Sequence, residues 1–139
     1  MRQYTTTLAF ETVKPGLHHI TTEITDWVTD TAIKEGLLTL FVRHTSASLL
    51  IQENTDPAVQ TNLEVYFGRV EPEDPGRYLH RSEGPDDMPA HLRAALTQTH
   101  LSIPVLDGLL ALGTWQGIYL FEHRKQPLRR TVVVHLLGD

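Results

Sequence analysis

The last third of the chain contains four short apolar segments separated by residue pairs that favour turns, and this spacing constrains the fold most. The segments span residues 101–105, 109–112, 115–123 and 131–137. The pairs between them are Asp107-Gly108, Gly113-Thr114 and Gln126-Pro127. Because neighbouring strands joined by such short connections must pair antiparallel, the sequence predicts a mixed or antiparallel sheet.

The first part of the chain predicts two further strands and a helix. Apolar side chains alternate over residues 3–10, which is typical of a half-buried strand, and residues 17–21 predict a second, shorter strand. From Ile24 onward, apolar residues recur at helical spacing, and we expect Gly36 to end this helix.

The middle of the chain predicts a strand pair and two more helices. The apolar run 37–44 suits a central strand, and residues 48–53 resemble its hairpin partner. Asp56-Pro57 is a typical helix start, because the Asp can cap the helix and the Pro loses no useful N–H. Residues 71–87 show no periodicity, and a short helix is predicted over 88–97, capped by the residue before it.

The whole chain, residues 1–139, therefore predicts a single α+β domain with a largely antiparallel sheet and helices packed on it. The hydrophobic fraction is 40% and the charged fraction is 21%, which is typical of a folded domain in water. No stretch approaches the roughly 20 apolar residues of a spanning helix, and the first residues lack a signal-peptide pattern. We therefore expect a cytoplasmic protein with no membrane partner.

The charge and the cysteine count exclude several kinds of site. The net charge is −5 and no basic stripe is present, so the sequence does not favour nucleic acid as a partner. A small phosphorylated ligand remains compatible with this charge. The chain has 8 histidines and no cysteine, so any bound transition metal must have nitrogen and oxygen ligands.

Three histidines lie in polar segments and are candidate metal ligands: His44, His80 and His91. His44 ends an apolar strand, where a backbone carbonyl could equally satisfy it. His80 lies in the segment without periodicity, where it could simply be solvated. His91 falls in the first turn of a predicted helix, where the positive end of the helix dipole favours the neutral imidazole that a metal requires.

Hydroxyl and charged side chains near these histidines could contact a phosphorylated ligand. Thr45, Ser46 and Ser48 follow His44 directly. Arg124, on a late strand, would suit an anionic group, although it could equally form an ordinary cross-strand ion pair. Asp86 could bind at the site or belong only to the start of a helix.

Four longer motifs occur in a fixed order along the chain. They are His44-Thr45-Ser46-Ala47-Ser48-Leu49, Glu53-Asn54-Thr55-Asp56-Pro57, Glu83-Gly84-Pro85-Asp86-Asp87-Met88-Pro89-Ala90-His91 and Leu112-Gly113-Thr114-Trp115-Gln116-Gly117-Ile118. Together they resemble the motifs of the YjbQ family of small proteins, often labelled secondary thiamine-phosphate synthase enzymes. The resemblance extends from Phe10 to Val134.

This resemblance implies a homotrimer with a polar pocket near the subunit contacts and a divalent metal ion, Zn or Mg, bound by histidines. It implies weak formation of thiamine phosphate from a pyrimidine diphosphate and a thiazole phosphate. The residues of this sequence can be given the necessary tasks. His44, His80 and His91 would hold the metal, Glu83 or Asp86 would add a carboxylate ligand or accept a proton, Thr45, Ser46, Ser48 and Arg124 would contact phosphate, and Trp115 or Tyr78 would stack on a ring.

Two other functions fit the same residues. A metal-dependent hydrolase of a small phosphorylated metabolite would use an activated water in an open metal position. A trimer that binds a metabolite without catalysis would need neither a nucleophile nor a second substrate. The sequence alone favours none of the three.

Overall fold

The computed structural model describes all 139 residues and contains eight strands and three helices. The strands are β1 (Arg2–Thr12), β2 (Gly16–His19), β3 (Gly36–Val42), β4 (Ala47–Glu53), β5 (His100–Leu106), β6 (Leu109–Leu110), β7 (Gln116–Glu122) and β8 (Leu128–Gly138). The helices are α1 (Thr21–Thr31), α2 (Pro57–Val70) and α3 (Asp87–Leu96). None of the three α-helices combines the length and the apolar composition that a membrane-spanning helix requires.

The larger sheet has five strands in the order β1-β8-β3-β5-β6, and every pair in it is antiparallel. Alternate residues of β8, such as Val132, Val134 and Leu136, are fully buried on its inner face. Ile24 and Val28 of α1 belong to the same core cluster. The predicted α+β class with a largely antiparallel sheet is therefore confirmed.

The smaller sheet, β2-β7-β4, corrects the predicted pairing of neighbouring strands. The sequence predicts a hairpin between β3 and β4, but β4 pairs antiparallel with β7 along its whole length. β7 likewise does not pair with β6 or β8, its neighbours in sequence. Residues 117–122 of β7 are all buried, so this strand is covered on both faces and cannot show a simple alternation.

The ends of the helices follow their capping residues, with two corrections. α2 begins as predicted, and the Asp56 Oδ1 atom accepts a hydrogen bond from the Ala58 N–H at 2.9 Å. α1 ends at Thr31, because the following residue, Ala32, has a φ of 59° that breaks the helix; the predicted stop, Gly36, already belongs to β3. α3 begins at Asp87, and the Asp87 side chain contacts other residues instead of capping the helix.

Candidate metal centre and adjoining pocket

Two histidines and two carboxylates converge at the N-terminal end of α3. The possible ligand atoms of His80, Glu83, Asp87 and His91 all lie within 4.8 Å of one another. The Asp87 Oδ2 atom is 2.7 Å from His80 Nε2 and 3.1 Å from His91 Nε2. The Glu83 carboxylate is 3.7 Å from His80 Nε2. We call these four residues the His/carboxylate cluster.

The cluster combines a helical pair with a loop that folds back over it. Asp87 and His91 are four residues apart on α3, so their side chains lie on one face of the helix. His80 and Glu83 lie in the preceding loop and are much more exposed than Asp87, whose side chain is 2% exposed. The cluster therefore has a buried base and an open side that faces water.

Arg124, just after β7, fixes this loop against the helix. Its Nε atom donates to Asp86 Oδ2 at 3.0 Å, its Nη1 to Asp87 Oδ1 at 2.7 Å and its Nη2 to the Glu83 carbonyl at 3.0 Å. Burial would lower the pKa of Arg124, but the hydrogen bond and the charge of Asp86 outweigh it and raise that pKa. The guanidinium is therefore a permanent cation beside the cluster.

The hydrogen bond of His91 to the backbone sets which ring nitrogen faces the cluster. Its Nδ1 lies 2.9 Å from the Thr45 carbonyl oxygen, which can only accept, so Nδ1 carries the proton. In the neutral ring, the Nε2 lone pair then points at Asp87 Oδ2. Two acceptors at this distance repel unless a proton or a metal cation lies between them, and this is the arrangement of a metal-binding histidine.

The electrostatics of Asp87 keep it ionised. Burial alone would raise the pKa of this carboxyl, but its hydrogen bond with His80 and the nearby charge of Arg124 hold the pKa below its ordinary value. The spacing also fits a metal, since ligands about 2.0–2.1 Å from a tetrahedral ion lie about 3.3 Å apart. The residues present are therefore a suitable donor set for a divalent cation.

A larger pocket of about 690 Å³ adjoins the cluster and shares His91 with it. Its polar wall is the segment from Arg43 to Ser46, together with Arg130. Arg130 is buried and paired with Glu122 at 2.6 Å, and its Nη2 also donates to Ser46 Oγ at 2.9 Å. Arg43 and Thr45 are exposed and free to meet a ligand.

The structure brings together some of the predicted site residues and separates others. His80, His91 and Glu83 meet in the cluster. His44 lies in the large pocket instead, where its Nε2 accepts from the Thr131 N–H at 3.0 Å and so is not free for a metal. Burial, followed by the charge of Arg130, lowers the pKa of His44 and keeps it neutral.

The remaining predicted residues have other partners. Thr45 and Ser46 line the pocket, whereas Ser48 is buried and hydrogen-bonded to His123 Nε2 at 2.9 Å. Asp86 accepts from Arg124 and from the Lys125 N–H, outside the cluster. Arg124 holds the loop and does not line the pocket. Trp115 is 60% exposed and belongs neither to the cluster nor to the lining of the large pocket.

Asp87 is the central residue that the sequence does not assign to the site. Its position before Met88 and Pro89 predicts a helix cap. The useful signal is its spacing to His91, since residues four apart on a helix share a face. A carboxylate placed there can both orient and complete a histidine site.

Comparison with known sequences identifies the class of small proteins to which this antiparallel α+β domain belongs. The family described as UPF0047 protein YjbQ-like matches residues 6–139. The chain is 51% identical over 138 residues to the UPF0047 protein sll1880 of Synechocystis, covering 99% of this chain and 94% of that protein. The chain belongs to the UPF0047 YjbQ-like family.

Two further relatives agree with this assignment. The UPF0047 protein YjbQ of Escherichia coli O157:H7 is 42% identical over 137 residues, which cover 98% of this chain and 99% of that protein. The crystal structure of the conserved hypothetical protein TT1486 from Thermus thermophilus superposes with a TM-score of 0.84 at 33% identity. That superposition covers 95% of this chain and 99% of the other.

Proposed function

We propose that this chain is a metal-dependent enzyme acting on a small phosphorylated substrate, and that its reaction is weak formation of thiamine phosphate from a pyrimidine diphosphate and a thiazole phosphate. The observation that supports the metal dependence is the Asp87 carboxylate, which lies between the Nε2 atoms of His80 and His91. Two imidazole ligands favour zinc over magnesium, which prefers oxygen.

The cluster and the large pocket have separate tasks in this proposal. A bound divalent cation would supply positive charge to the departing diphosphate. The side chains of Arg43 and Thr45 would hold the phosphate oxygens, since both are exposed at the pocket wall. Arg130 would position the Ser46 backbone and hydroxyl rather than bind substrate, because Glu122 already pairs with it.

His91 connects the two parts of the site. Its Nε2 belongs to the cluster, its Nδ1 is held by the Thr45 carbonyl, and its ring forms part of the pocket wall. A phosphate bound at Thr45 would therefore lie beside the cation ligands. This juxtaposition suits a reaction in which a C–O bond to diphosphate breaks and a thiazole nitrogen forms the new C–N bond.

Hydrolysis is the second candidate, and the exposure of the cluster favours it. The side chains of His80 and Glu83 are 44% and 60% exposed, so water can reach an open metal position directly. An activated water there would attack a phosphorylated or acylated metabolite. In that reaction Glu83, which is the most exposed ligand, would be the proton acceptor.

The assay supplies both phosphorylated precursors to zinc- or magnesium-loaded protein, beside the His91→Ala variant and a His100→Ala control at an exposed strand position. We expect thiamine phosphate from the wild type and the control, and none from His91→Ala. Equal product from all three proteins would show that the histidine cluster takes no part in the reaction. Release of phosphate from one precursor alone would establish hydrolysis instead. Binding of a precursor without turnover would support the non-catalytic, metabolite-binding alternative.

A further inference from the structure

His44 lines the large pocket, and the backbone of β8 fixes which nitrogen of its ring carries a proton. β3 stops pairing with β8 at Val42, which is opposite Val132. The adjoining N–H of β8, that of Thr131, donates to His44 Nε2 at 3.0 Å. A backbone N–H can only donate, so Nε2 is the acceptor and carries no proton.

This hydrogen bond excludes both the charged ring and the other neutral form. An imidazolium carries protons on both nitrogens, and one of these protons would point at the Thr131 N–H. The Thr131 hydroxyl also approaches Nε2, at 3.5 Å, and it too can donate. Burial, followed by the charge of Arg130, lowers the pKa of His44, which agrees with this geometry. The single ring proton therefore lies on Nδ1.

The Nδ1–H group of His44 is an accessible donor without a partner in the protein, because both contacts of the ring are made at Nε2. The buried side-chain nitrogens that lack a partner are Arg93 Nε and His123 Nδ1, so His44 Nδ1 keeps accessible surface. A ligand in the large pocket can therefore accept a hydrogen bond from it.

The backbone gives the two histidines of the large pocket opposite properties. His91 donates from Nδ1 to the Thr45 carbonyl, and the lone pair of its Nε2 faces the cluster. His44 accepts at Nε2 and presents a proton at Nδ1. A metal cation binds a lone pair, whereas an anion binds a proton donor, so only His91 is suited to the metal.

The pocket wall around His44 favours an anion. Its charged side chains are Arg43 and Arg130, and no carboxylate belongs to the lining. Glu122 pairs with Arg130, so the exposed Arg43 supplies the free positive charge. Arg43, His44 and Thr45 are consecutive, and each has a side-chain donor. Three donors match the three terminal oxygens of a phosphate monoester, whereas a carboxylate has only two oxygens.

We propose that His44 binds the phosphate group of the substrate through Nδ1–H, as a neutral hydrogen-bond donor beside Arg43 and Thr45, and that it is not a metal ligand. This inference rests on the phosphorylated substrate of the function proposed above. His44 does not serve as a base, because Nε2 cannot take up a proton without losing its hydrogen bond from the Thr131 N–H.

The test titrates inorganic phosphate into the full-length protein labelled with ¹⁵N at histidine and follows the ring nitrogens of His44 by NMR near neutral pH. We expect Nδ1 to carry the proton before phosphate is added, and to shift saturably as phosphate binds. Protein treated with a chelator should give the same shift, because no residue of the cluster takes part. Acetate should bind at least about tenfold more weakly, because it leaves a donor unpaired.

Two variants separate phosphate binding from a structural role at the end of β3. In His44→Gln, the Oε1 atom can replace Nε2 as the acceptor for the Thr131 N–H, but no donor replaces Nδ1–H, so phosphate affinity should fall about tenfold or more. In His44→Asn, the Nδ2 atom replaces the Nδ1 donor and the acceptor is lost, so phosphate binding should persist while stability falls. Calorimetry should show normal zinc binding in both variants and lost zinc binding in His91→Ala.

Several outcomes would overturn the proposal. They are a proton on Nε2 of His44 in the free protein, no saturable shift up to the solubility limit of phosphate, and equal affinity for acetate. Phosphate binding that survives in His44→Gln and is lost in His44→Asn, or zinc binding that is lost in His44→Gln, would do the same. Phosphate binding at His44 without formation of thiamine phosphate would support this inference and contradict only the proposed reaction.

Discussion

Arg124 can have either of two roles in the site, and experiment can distinguish them. It could contact phosphate, as the sequence suggests, or it could hold the ligand loop, as its contacts with Asp86, Asp87 and the Glu83 carbonyl indicate. Partners that orient metal ligands usually contribute about 10- to 100-fold to metal affinity. The two roles therefore affect different measurements.

We predict that Arg124→Ala weakens zinc binding by about 10- to 100-fold, because the Asp87 carboxylate loses the partner that orients it. Isothermal titration calorimetry with zinc measures this directly. Arg129→Ala, on an exposed position of β8, is the matched control and should bind zinc normally. Unchanged zinc affinity with a raised KM in Arg124→Ala would instead support a phosphate contact.

His123 provides a second residue-scale prediction, on the pH dependence of stability. Its pKa is lowered from 6.5 to about 3, first by burial and then by the charge of Arg93. Between these two values the unfolded chain binds the proton and the folded chain does not. The free energy of unfolding should therefore be highest above pH 6.5 and fall as the pH drops from 6.5 toward 3, by up to about 1.4 kcal/mol per pH unit for this group.

Urea unfolding at several pH values tests this slope. His123→Gln should flatten the dependence, although it should also lower stability at pH 7 by removing the hydrogen bond to Ser48. His100→Gln, exposed at the start of β5, should leave the slope as it is in the wild type. If His123→Gln keeps the full wild-type slope, another group carries the acid sensitivity.

Residue types predict the candidate site better than they predict its contacts. The sequence assigns His80, Glu83 and His91 to one site, because a polar loop that leads into a helix start can be identified from sequence. In the structure these three side chains lie together. The sequence predicts that Asp87 caps a helix, because an Asp just before a helix usually does so. Its actual partners are His80 in the loop and Arg124, which follows β7. Partners so distant in sequence leave no periodic signal.

The helices show how far capping rules extend. Asp56 caps α2 through its side chain, and none of the α2 residues is fully buried, so packing contributes less to this helix than to α1. A helix with a weakly buried face depends more on its own termini. The cap of α2 is therefore a sensitive position.

We predict that Asp56→Ala lowers the free energy of unfolding by about 1 kcal/mol, because the Ala58 N–H loses its acceptor. Thermal or urea unfolding measures the change. Asp26→Ala is the control, since Asp26 is exposed in the middle of α1 and caps nothing. Equal losses in both variants would mean that removal of charge, rather than of the cap, is responsible.

The sequence predicts where the strands lie better than it predicts which strands pair. Every strand expected in the last third is present, because alternation and turn pairs are local signals. β4 pairs with β7 rather than with β3, and Ser46, in the turn between β3 and β4, is held by Arg130, 84 residues away. Contacts over such separations arise only when the two sheets assemble.

At the scale of the whole molecule, the homotrimer expected from the family resemblance remains a proposal. The apolar residues of 115–121 and 132–136, through which the sequence would suggest association, are mostly buried within the chain. The outer face of the larger sheet is a better candidate, since Leu37, Phe41 and Leu137 are 39% to 46% exposed there. Phe41 also lines the large pocket, which would place that pocket near a subunit contact.

We predict that Leu37→Glu shifts a trimer toward a monomer near 16 kDa, because it places a charge on the apolar outer face. Sedimentation velocity at micromolar concentration measures the masses. Leu79→Glu, in the fully exposed loop before His80, should leave the assembly intact. A wild-type protein that sediments as a monomer would remove the trimer from the proposal.

The pairing of β1 with β8 joins Arg2 to Gly138, nearly the full length of the chain. Since the ribosome delivers β1 first, this strand has no partner until β8 emerges, and closing so long a loop is entropically slow. An unpaired strand edge invites aggregation during that wait. The run Thr5-Thr6-Thr7 in the middle of β1 keeps the unpaired strand polar. Replacing these threonines with valines should therefore lower the yield of folded protein during synthesis more than it changes the stability of the folded protein.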